Sequence, residues 1–282
     1  MSSGTEQDLT HNDAGAKHDR WQYEERGRQI RDSMKPEAKS TTESSQGAAG
    51  MREDENAFEM WRRRLAKTPT GAPEHPAALR ILKLHCTAEE ADLLSRMPSK
   101  FSTAAQLARL SRMDVSTVRE MLERLIDKFL VGDMDCGDGV HLYTPLEILP
   151  GFWDLTFMRI REDMPTAELA KLWEEYWDTF YPECLGQGEP TQDFRVMVRE
   201  ESLGQGYTEI LDYERTSQII KTAKRIAIGH CSCSTRAMEA GKEICERPIE
   251  TCMSLNSGAE AVLRAGQGRE ISPQEAMDVA DN

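Results

Sequence analysis

Four of the seven cysteines in this 282-residue chain fall within one short stretch near its C-terminal end. Cys231, Cys233, Cys245 and Cys252 follow one another at the spacing C-x-C-x11-C-x6-C. Thiolates are soft ligands, and four of them satisfy either a tetrahedral zinc ion or an iron–sulfur cluster. The stretch therefore predicts a metal or iron–sulfur site with these four residues as its ligands.

The spacing of the four cysteines is unusual for both kinds of site. Structural zinc sites usually take two C-x2-4-C pairs, which the C-x-C and C-x6-C pairs here match poorly. The C-x2-C-x2-C run of bacterial ferredoxins is also absent from the sequence. The neighbouring residues favour a cluster, because Arg236 can offset negative charge and three hydroxyls can donate to thiolate sulfurs, those of Ser232, Ser234 and Thr235.

His230 precedes the first cysteine and is either a fifth donor or a residue that only surrounds the site. Pro248 lies between the last two cysteines, and we expect it to hold that segment in an open, non-helical loop. The other three cysteines, Cys86, Cys136 and Cys184, are scattered and predicted to be lone thiols. An odd number of cysteines behind an N-terminus without an export signal disfavours a disulfide framework.

Composition narrows the class of protein. Hydrophobic residues make up 39% and charged residues 30%, which predicts a soluble globular protein without a membrane-spanning helix. The N-terminus has neither the basic nor the apolar region of a secretory signal, so we expect a cytoplasmic protein. The net charge is −14, and residues 151–211 carry 13 acidic and 5 basic side chains. This balance argues against a nucleic-acid surface.

The first 76 residues divide into a tail and a linker. Residues 1–55 are rich in small and charged residues, so they are predicted to be a disordered tail. Residues 56–76 contain a helix around Ala57, Trp61 and Leu65, followed by a Pro-rich linker. That helix either docks on the protein or on a partner, or remains solvated.

Residues 77–150 predict three helices and a hairpin, the order of a winged helix-turn-helix. Thr87 and Glu90 form a capping-box pattern, and Asp138-Gly139 is typical of a hairpin turn. The third helix, from Val115 to Phe129, balances three basic against three acidic side chains. A DNA-reading helix normally carries a cationic surplus, so the balance favours a packing or protein-docking module.

The remaining residues predict two further regions. Residues 151–207 form an aromatic-rich helical region for packing, with a loop over 182–190 and a possible strand over 194–198. Residues 208–282 form the cysteine domain, in which a helix and an extended segment at Arg225–Gly229 lead into the first cysteines. Helices follow Cys252, the last beginning at Ser272. The predicted fold is mainly α with a small β wing, an α+β class.

The cysteine stretch also resembles a family of bacterial and archaeal 4Fe-4S binding proteins. That family has the pattern C-P-C-R, G-x-x-C, P-x-E-x-C and then G-R-x-I-S-x-x-E-A. The corresponding segments are Cys231–Arg236, Gly241–Cys245, Pro248–Cys252 and Gly268–Ala276, the second with one residue more than G-x-x-C. Members begin with a winged-helix module and commonly end in ferredoxin-type motifs, and the resemblance covers about residues 77–282.

This resemblance implies that Cys231, Cys233, Cys245 and Cys252 bind one [4Fe-4S] cluster. Two features depart from the family. Ser232 and Ser234 replace its Pro and Arg, with Arg236 two places late, and the ferredoxin-type C-x2-C-x2-C-x3-C run is missing. A chain with one cluster needs a redox partner, either a ferredoxin-like protein or an oxidoreductase subunit.

Together these features predict an electron-transfer or redox-accessory protein that docks on its partners. No nucleophile–base pair or nucleotide fingerprint stands out, so we expect no catalysis by this chain alone. One alternative is a winged-helix transcriptional regulator that senses the state of an iron–sulfur cluster. Another is an interaction protein stabilised by zinc at the same four cysteines.

Overall fold

The computed structural model of the chain describes residues 53–185, 197 and 215–281. Helices dominate these residues and two small antiparallel sheets accompany them, in agreement with the predicted α+β class. Of the predicted tail, residues 1–52 lie outside the described part, and a helix already begins at Glu53. The strand expected over 194–198 also lies outside it, apart from residue 197.

Five helices open the described chain: α1 (Glu53–Leu65), α2 (Pro76–His85), α3 (Ala88–Arg96), α4 (Ala104–Ser111) and α5 (Val115–Asp127). Local side-chain hydrogen bonds explain where three of them begin. Thr87 and Glu90 form the predicted capping box of α3, Thr103 and Gln106 form another on α4, and Asp114 caps α5. These caps satisfy backbone N–H groups that have no partner within the helix.

A hairpin of β1 (Val131–Asp135) and β2 (His141–Pro145) follows α5. The strands pair antiparallel, with Val131 opposite Pro145. Asp138 and Gly139 at the turn have positive φ, as the Asp-Gly pattern predicts. The three helices and hairpin expected over residues 77–150 are therefore present in the predicted order.

Two helices and a turn come next: α6 (Phe152–Leu155), α7 (Thr166–Phe180) and a π-helical turn (Tyr181–Leu185). The turn replaces the loop expected from residue 182, so α7 continues further than predicted. The aromatic stripe of α7 is buried, as predicted, and includes Trp173 and Tyr176. The helix α1 docks on this core, because Trp61 is buried and its ring centroid lies 5.9 Å from that of Phe152.

The C-terminal part contains α8 (Thr216–Thr222), β3 (Ile226–His230), α9 (Ser232–Glu239), β4 (Glu250–Leu255), α10 (Ser257–Arg264), β5 (Gly268–Glu270) and α11 (Pro273–Asp281). The strands form an antiparallel sheet in the order β4-β3-β5. The extended segment before the first cysteines is confirmed as β3. The segment around Pro248 is non-helical, as expected, and it leads into the strand β4 that carries Cys252.

Buried apolar residues are distributed unevenly along the chain. One large core joins α1 through α7. The C-terminal part has two small clusters, one around Ile226 and Ile228 and the other around Ala227 and Val262. Among the described helices, none has both the length and the apolar character needed to cross a lipid bilayer.

Candidate metal centre

Three consecutive elements carry the four cysteines. Cys231 is the N-cap of α9, and Cys233 lies in the first turn of that helix. Cys245 lies on the exposed segment between α9 and β4. Cys252 lies in β4, where it pairs with Gly229 of the neighbouring strand. The turn from β3 into α9 therefore brings the first two cysteines beside the strand that carries the last.

Short contacts with two serines place the thiols around the first turn of α9. The backbone N–H of Ser234 donates to Cys231 Sγ at 3.4 Å, and Ser234 Oγ lies 3.5 Å from Cys245 Sγ. Ser232 Oγ lies 3.8 Å from Cys252 Sγ. Two of the three predicted hydroxyl donors therefore contact cysteines, Ser234 with Cys245 and Ser232 with Cys252.

The electrostatics of this turn stabilise a thiolate at Cys231. A hydrogen bond from the Cys233 thiol, followed by donors on Ser234 and Thr251, holds the pKa of Cys231 well below its ordinary value, although burial opposes the shift. The same hydrogen bond and burial raise the pKa of Cys233. A helix N-terminus also favours negative charge. The hydrogen bond from Cys233 therefore favours the thiolate form of Cys231 over that of Cys233.

The position of Cys252 depends on close packing along β3. A Cβ atom added at Gly229 would lie 2.8 Å from both the carbonyl oxygen of Gln267 and Cε of Met158. The next residue, His230, donates its backbone N–H to Met158 O at 3.0 Å. Only glycine allows β3 to approach these neighbours so closely while pairing with the strand that carries Cys252.

The other predicted participants have different surroundings. Arg236 forms an ion pair with Glu174 of α7, and its guanidinium lies 5.5 Å from the ring centroid of Trp153. Its charge is therefore balanced by a carboxylate, contrary to the expectation that it offsets the cysteines. Thr235 Oγ1 is buried and has no hydrogen-bond partner among the described residues. His230 is only partly buried.

Sequence reasoning missed Thr251 and Glu174. Thr251 forms a side-chain hydrogen bond with Cys231. Thr251 could have been predicted from the sequence, because it directly precedes the candidate ligand Cys252 and its hydroxyl can reach the same site. Glu174 pairs with Arg236 and Lys242. Nothing in its local sequence indicates that role, since α7 is distant from the cysteines along the chain.

The positions of the cysteine sulfurs decide whether they can bind a zinc ion or an iron–sulfur cluster. Within the described residues, no three His, Cys, Asp or Glu side chains are grouped for binding one metal ion. A tetrahedral zinc ion would require sulfurs about 3.8 Å apart, as follows from its bond lengths. In a cubane each cysteine binds a separate iron, which sets the sulfurs farther apart. The four-thiol donor set has the chemistry of either group, and the described side chains do not form a compact zinc tetrahedron.

The three remaining cysteines are free thiols away from this turn. Burial raises the pKa of Cys86. Burial also raises the pKa of Cys184 to about 11. Cys136 is exposed on the hairpin. Their placement agrees with the expectation of lone thiols.

Comparisons with known proteins add no relative: no family model, curated protein or solved structure matches this chain. The candidate centre is therefore defined by its own residues and their geometry. The helices and hairpin over residues 77–150 are likewise defined by their own residues and geometry.

Proposed function

We propose that this chain is an iron–sulfur protein that carries one [4Fe-4S] cluster and transfers electrons between partner proteins. The ligands are Cys231, Cys233, Cys245 and Cys252. The supporting observation is that Cys231 and Cys233 lie at the N-terminus of α9, where Ser232 and Ser234 contact the sulfurs of Cys231, Cys245 and Cys252. When bound, the cluster supplies one-electron chemistry, and the chain supplies its ligands and their surroundings.

Each part of the chain has a distinct task at this centre. The N-terminus of α9 orients Cys231 and Cys233 and stabilises negative charge on sulfur. Pairing between β3 and β4 holds Cys252 in register. The hydroxyls of Ser232 and Ser234 lie beside the other two thiols, where hydrogen bonds to sulfur tune a reduction potential. The exposed segment with Cys245 is the most accessible edge of the centre.

Residues 77–150 serve in this proposal as a winged-helix module for packing and protein docking. Two of the three cations on its third helix, Arg124 and Lys128, pair with the buried carboxylate of Glu90. Arg161 also binds Asp127 at the end of this helix. These pairings leave few cations for phosphates, which supports docking over the DNA-binding regulator.

Anaerobic purification tests the cluster directly. We expect a brown protein with about four iron and four sulfide per chain, and a paramagnetic signal after reduction with dithionite. A colourless protein that holds one zinc ion would instead support the zinc-stabilised alternative. Retention on heparin at physiological salt would favour the DNA-binding regulator.

Single cysteine variants test the ligand set. Cys245→Ser and Cys252→Ser should each lose or convert the cluster, measured by iron content and by the visible absorption spectrum. Cys136→Ser is the matched control, because Cys136 is also exposed and lies on the hairpin. An unchanged cluster in Cys245→Ser, or its loss in Cys136→Ser, would contradict the proposed ligands.

A further inference from the structure

One face of α7 adjoins the cysteine centre. Glu174 on this helix pairs with Arg236 of α9 and with Lys242 of the segment that carries Cys245. These two contacts connect α7 to both elements that supply the first three cysteines. Asp178 lies one turn beyond Glu174, and Tyr181 lies two turns beyond it. Both residues therefore continue the same side of the helix.

An exposed aromatic ring stands at the end of this face. The side chain of Tyr181 is 51% exposed. Its ring centroid lies 5.7 Å from that of Trp177, which stacks on Trp153 at 5.2 Å. Arg236 of the cysteine helix covers the ring of Trp153. The stacked rings therefore order Tyr181 before any partner arrives and connect it by direct contacts to α9.

Three exposed carboxylates lie on the helix and the turn that carry this ring. Glu175 and Asp178 are exposed on α7, and Glu183 is exposed in the π-helical turn. None of the three forms an ion pair with another residue in the described part of the chain. Ordered aromatic residues ringed by charged groups are typical of energetically important positions in protein interfaces. The charges here select a partner with positive charge.

We propose that Glu175, Asp178, Tyr181 and Glu183, the acidic aromatic face, form the docking surface for a redox protein with a basic surface. This inference rests on the proposed function, since it names the partner class of the cysteine centre. Docking there would bring the partner close to α9 and to the exposed segment with Cys245. A second copy of this chain is a poor occupant, because each copy carries a net charge of −14 and would present the same carboxylates.

Cytochrome c, a small basic redox protein, is a suitable probe. Its affinity for the full chain is measured at low and physiological salt, and carbodiimide cross-links between carboxylates and lysines are mapped by peptide mass spectrometry. We expect cross-links at the acidic aromatic face and weaker binding as salt rises. The triple variant Glu175→Gln, Asp178→Asn, Glu183→Gln should weaken binding about tenfold at low salt.

A control variant with the same change in net charge separates this face from general acidity. Glu120→Gln, Asp135→Asn and Asp138→Asn lie at exposed positions of α5 and the hairpin. This control variant should bind cytochrome c with an affinity within about twofold of that of the wild type. Tyr181→Ala should also weaken binding, and Tyr181→Phe should restore it if the ring itself makes the contact. Equal losses in both triple variants, cross-links centred on the hairpin, or no binding at low salt would overturn the docking surface.

Iron and sulfide content, measured on the same samples, separates this inference from the proposed function. A protein with a cluster whose cross-links avoid the face would overturn the docking surface alone. A protein without iron that still cross-links at the face would overturn the proposed function and support the docking surface. If the protein carries the cluster and also cross-links at the face, electron transfer from the dithionite-reduced protein to cytochrome c should slow in the triple variant. The control variant should transfer electrons at the wild-type rate.

Discussion

The two described parts of the chain, residues 53–185 and 215–281, are stabilised in different ways. Residues 53–185 share one large apolar core that contains most of the buried aromatic rings. Residues 215–281 have two small apolar clusters, organised around a three-stranded sheet. Small cores usually need an additional stabilising element such as a bound metal. The helical part therefore buries more apolar surface to stabilise its fold than the cysteine part does.

The largest effect is expected in the helical core. Trp173 is 1% exposed, and its ring lies within 6.5 Å of four other aromatic rings, those of Phe152, Trp153, Tyr176 and Phe180. Trp173→Ala should lower the free energy of unfolding by about 4 kcal/mol, measured in denaturant. Phe101→Ala is the control, because Phe101 is 47% exposed. A loss below about 1 kcal/mol at Trp173 would contradict a single well-packed core.

A pH dependence should follow from the same core. His85 is buried, with Nδ1 2.8 Å from Ile81 O, and burial lowers the pKa of His85 to about 4. The unfolded chain binds a proton near pH 6.5 and the folded chain only near pH 4, so stability falls as the pH falls between them. The contribution of His85 amounts to about 3 kcal/mol over that range.

Unfolding measured from pH 7 to pH 4 in two variants isolates this contribution. His85→Gln should have a shallower pH dependence than the wild type, whereas His141→Gln at an exposed position should keep the wild-type slope. Parallel curves for the wild type and His85→Gln would show that the imidazole does not carry the effect.

The third prediction concerns the cysteine part. Gly229→Ala should destabilise the sheet by about 2 kcal/mol, because its Cβ would contact the backbone of Gln267. Hydrogen exchange should show the loss in residues 215–281, with little change in α2 and α3. Gly258→Ala is the control, since its nearest neighbour would be 3.8 Å away. Equal exchange in the two variants would contradict the close packing along β3.

The smallest effect is expected at a contact between the two regions. Arg264 of α10 lies 2.5 Å from Asp133 of β1, and the arginine side chain is 47% exposed. The Asp133 side chain is 9% exposed, so the pair is only partly solvated and contributes about 1 kcal/mol. A double-mutant cycle with Arg264→Ala and Asp133→Ala should therefore give a coupling energy near that value. A coupling above about 2 kcal/mol would show that the hairpin and the cysteine part are more strongly linked.

Features encoded locally were predictable from the sequence. Thr87 with Glu90 and the apolar stripe of α7 each depend on residues three or four positions apart. Both appear in the structure as predicted. The helix α9 was missed because its first turn consists of cysteines and serines, which are weak helix formers. The strand β4 was missed because its half-buried residues show no alternation, and its partner β3 is distant in sequence.

At the candidate centre, too, local features were predictable from the sequence and contacts between distant segments were not. The four cysteines remain a predicted ligand set, and three of them contact serines of the first turn of α9. Which serine contacts which thiol was not predictable, because the contact of Ser232 with Cys252 depends on the register between β3 and β4. Arg236 was misassigned for a related reason, since its partner Glu174 comes from a helix that precedes it by many residues.

The C-terminal sheet also protects the chain against self-association. Its most apolar strand, β3, is central and has a neighbour on each side. The outer strand β5 has only three residues, and charged side chains mark both edges through Glu250, Arg269 and Glu270. Short and charged edge strands disfavour pairing with strands of other molecules. The most apolar strand of this sheet is therefore shielded from pairing with other copies of the chain.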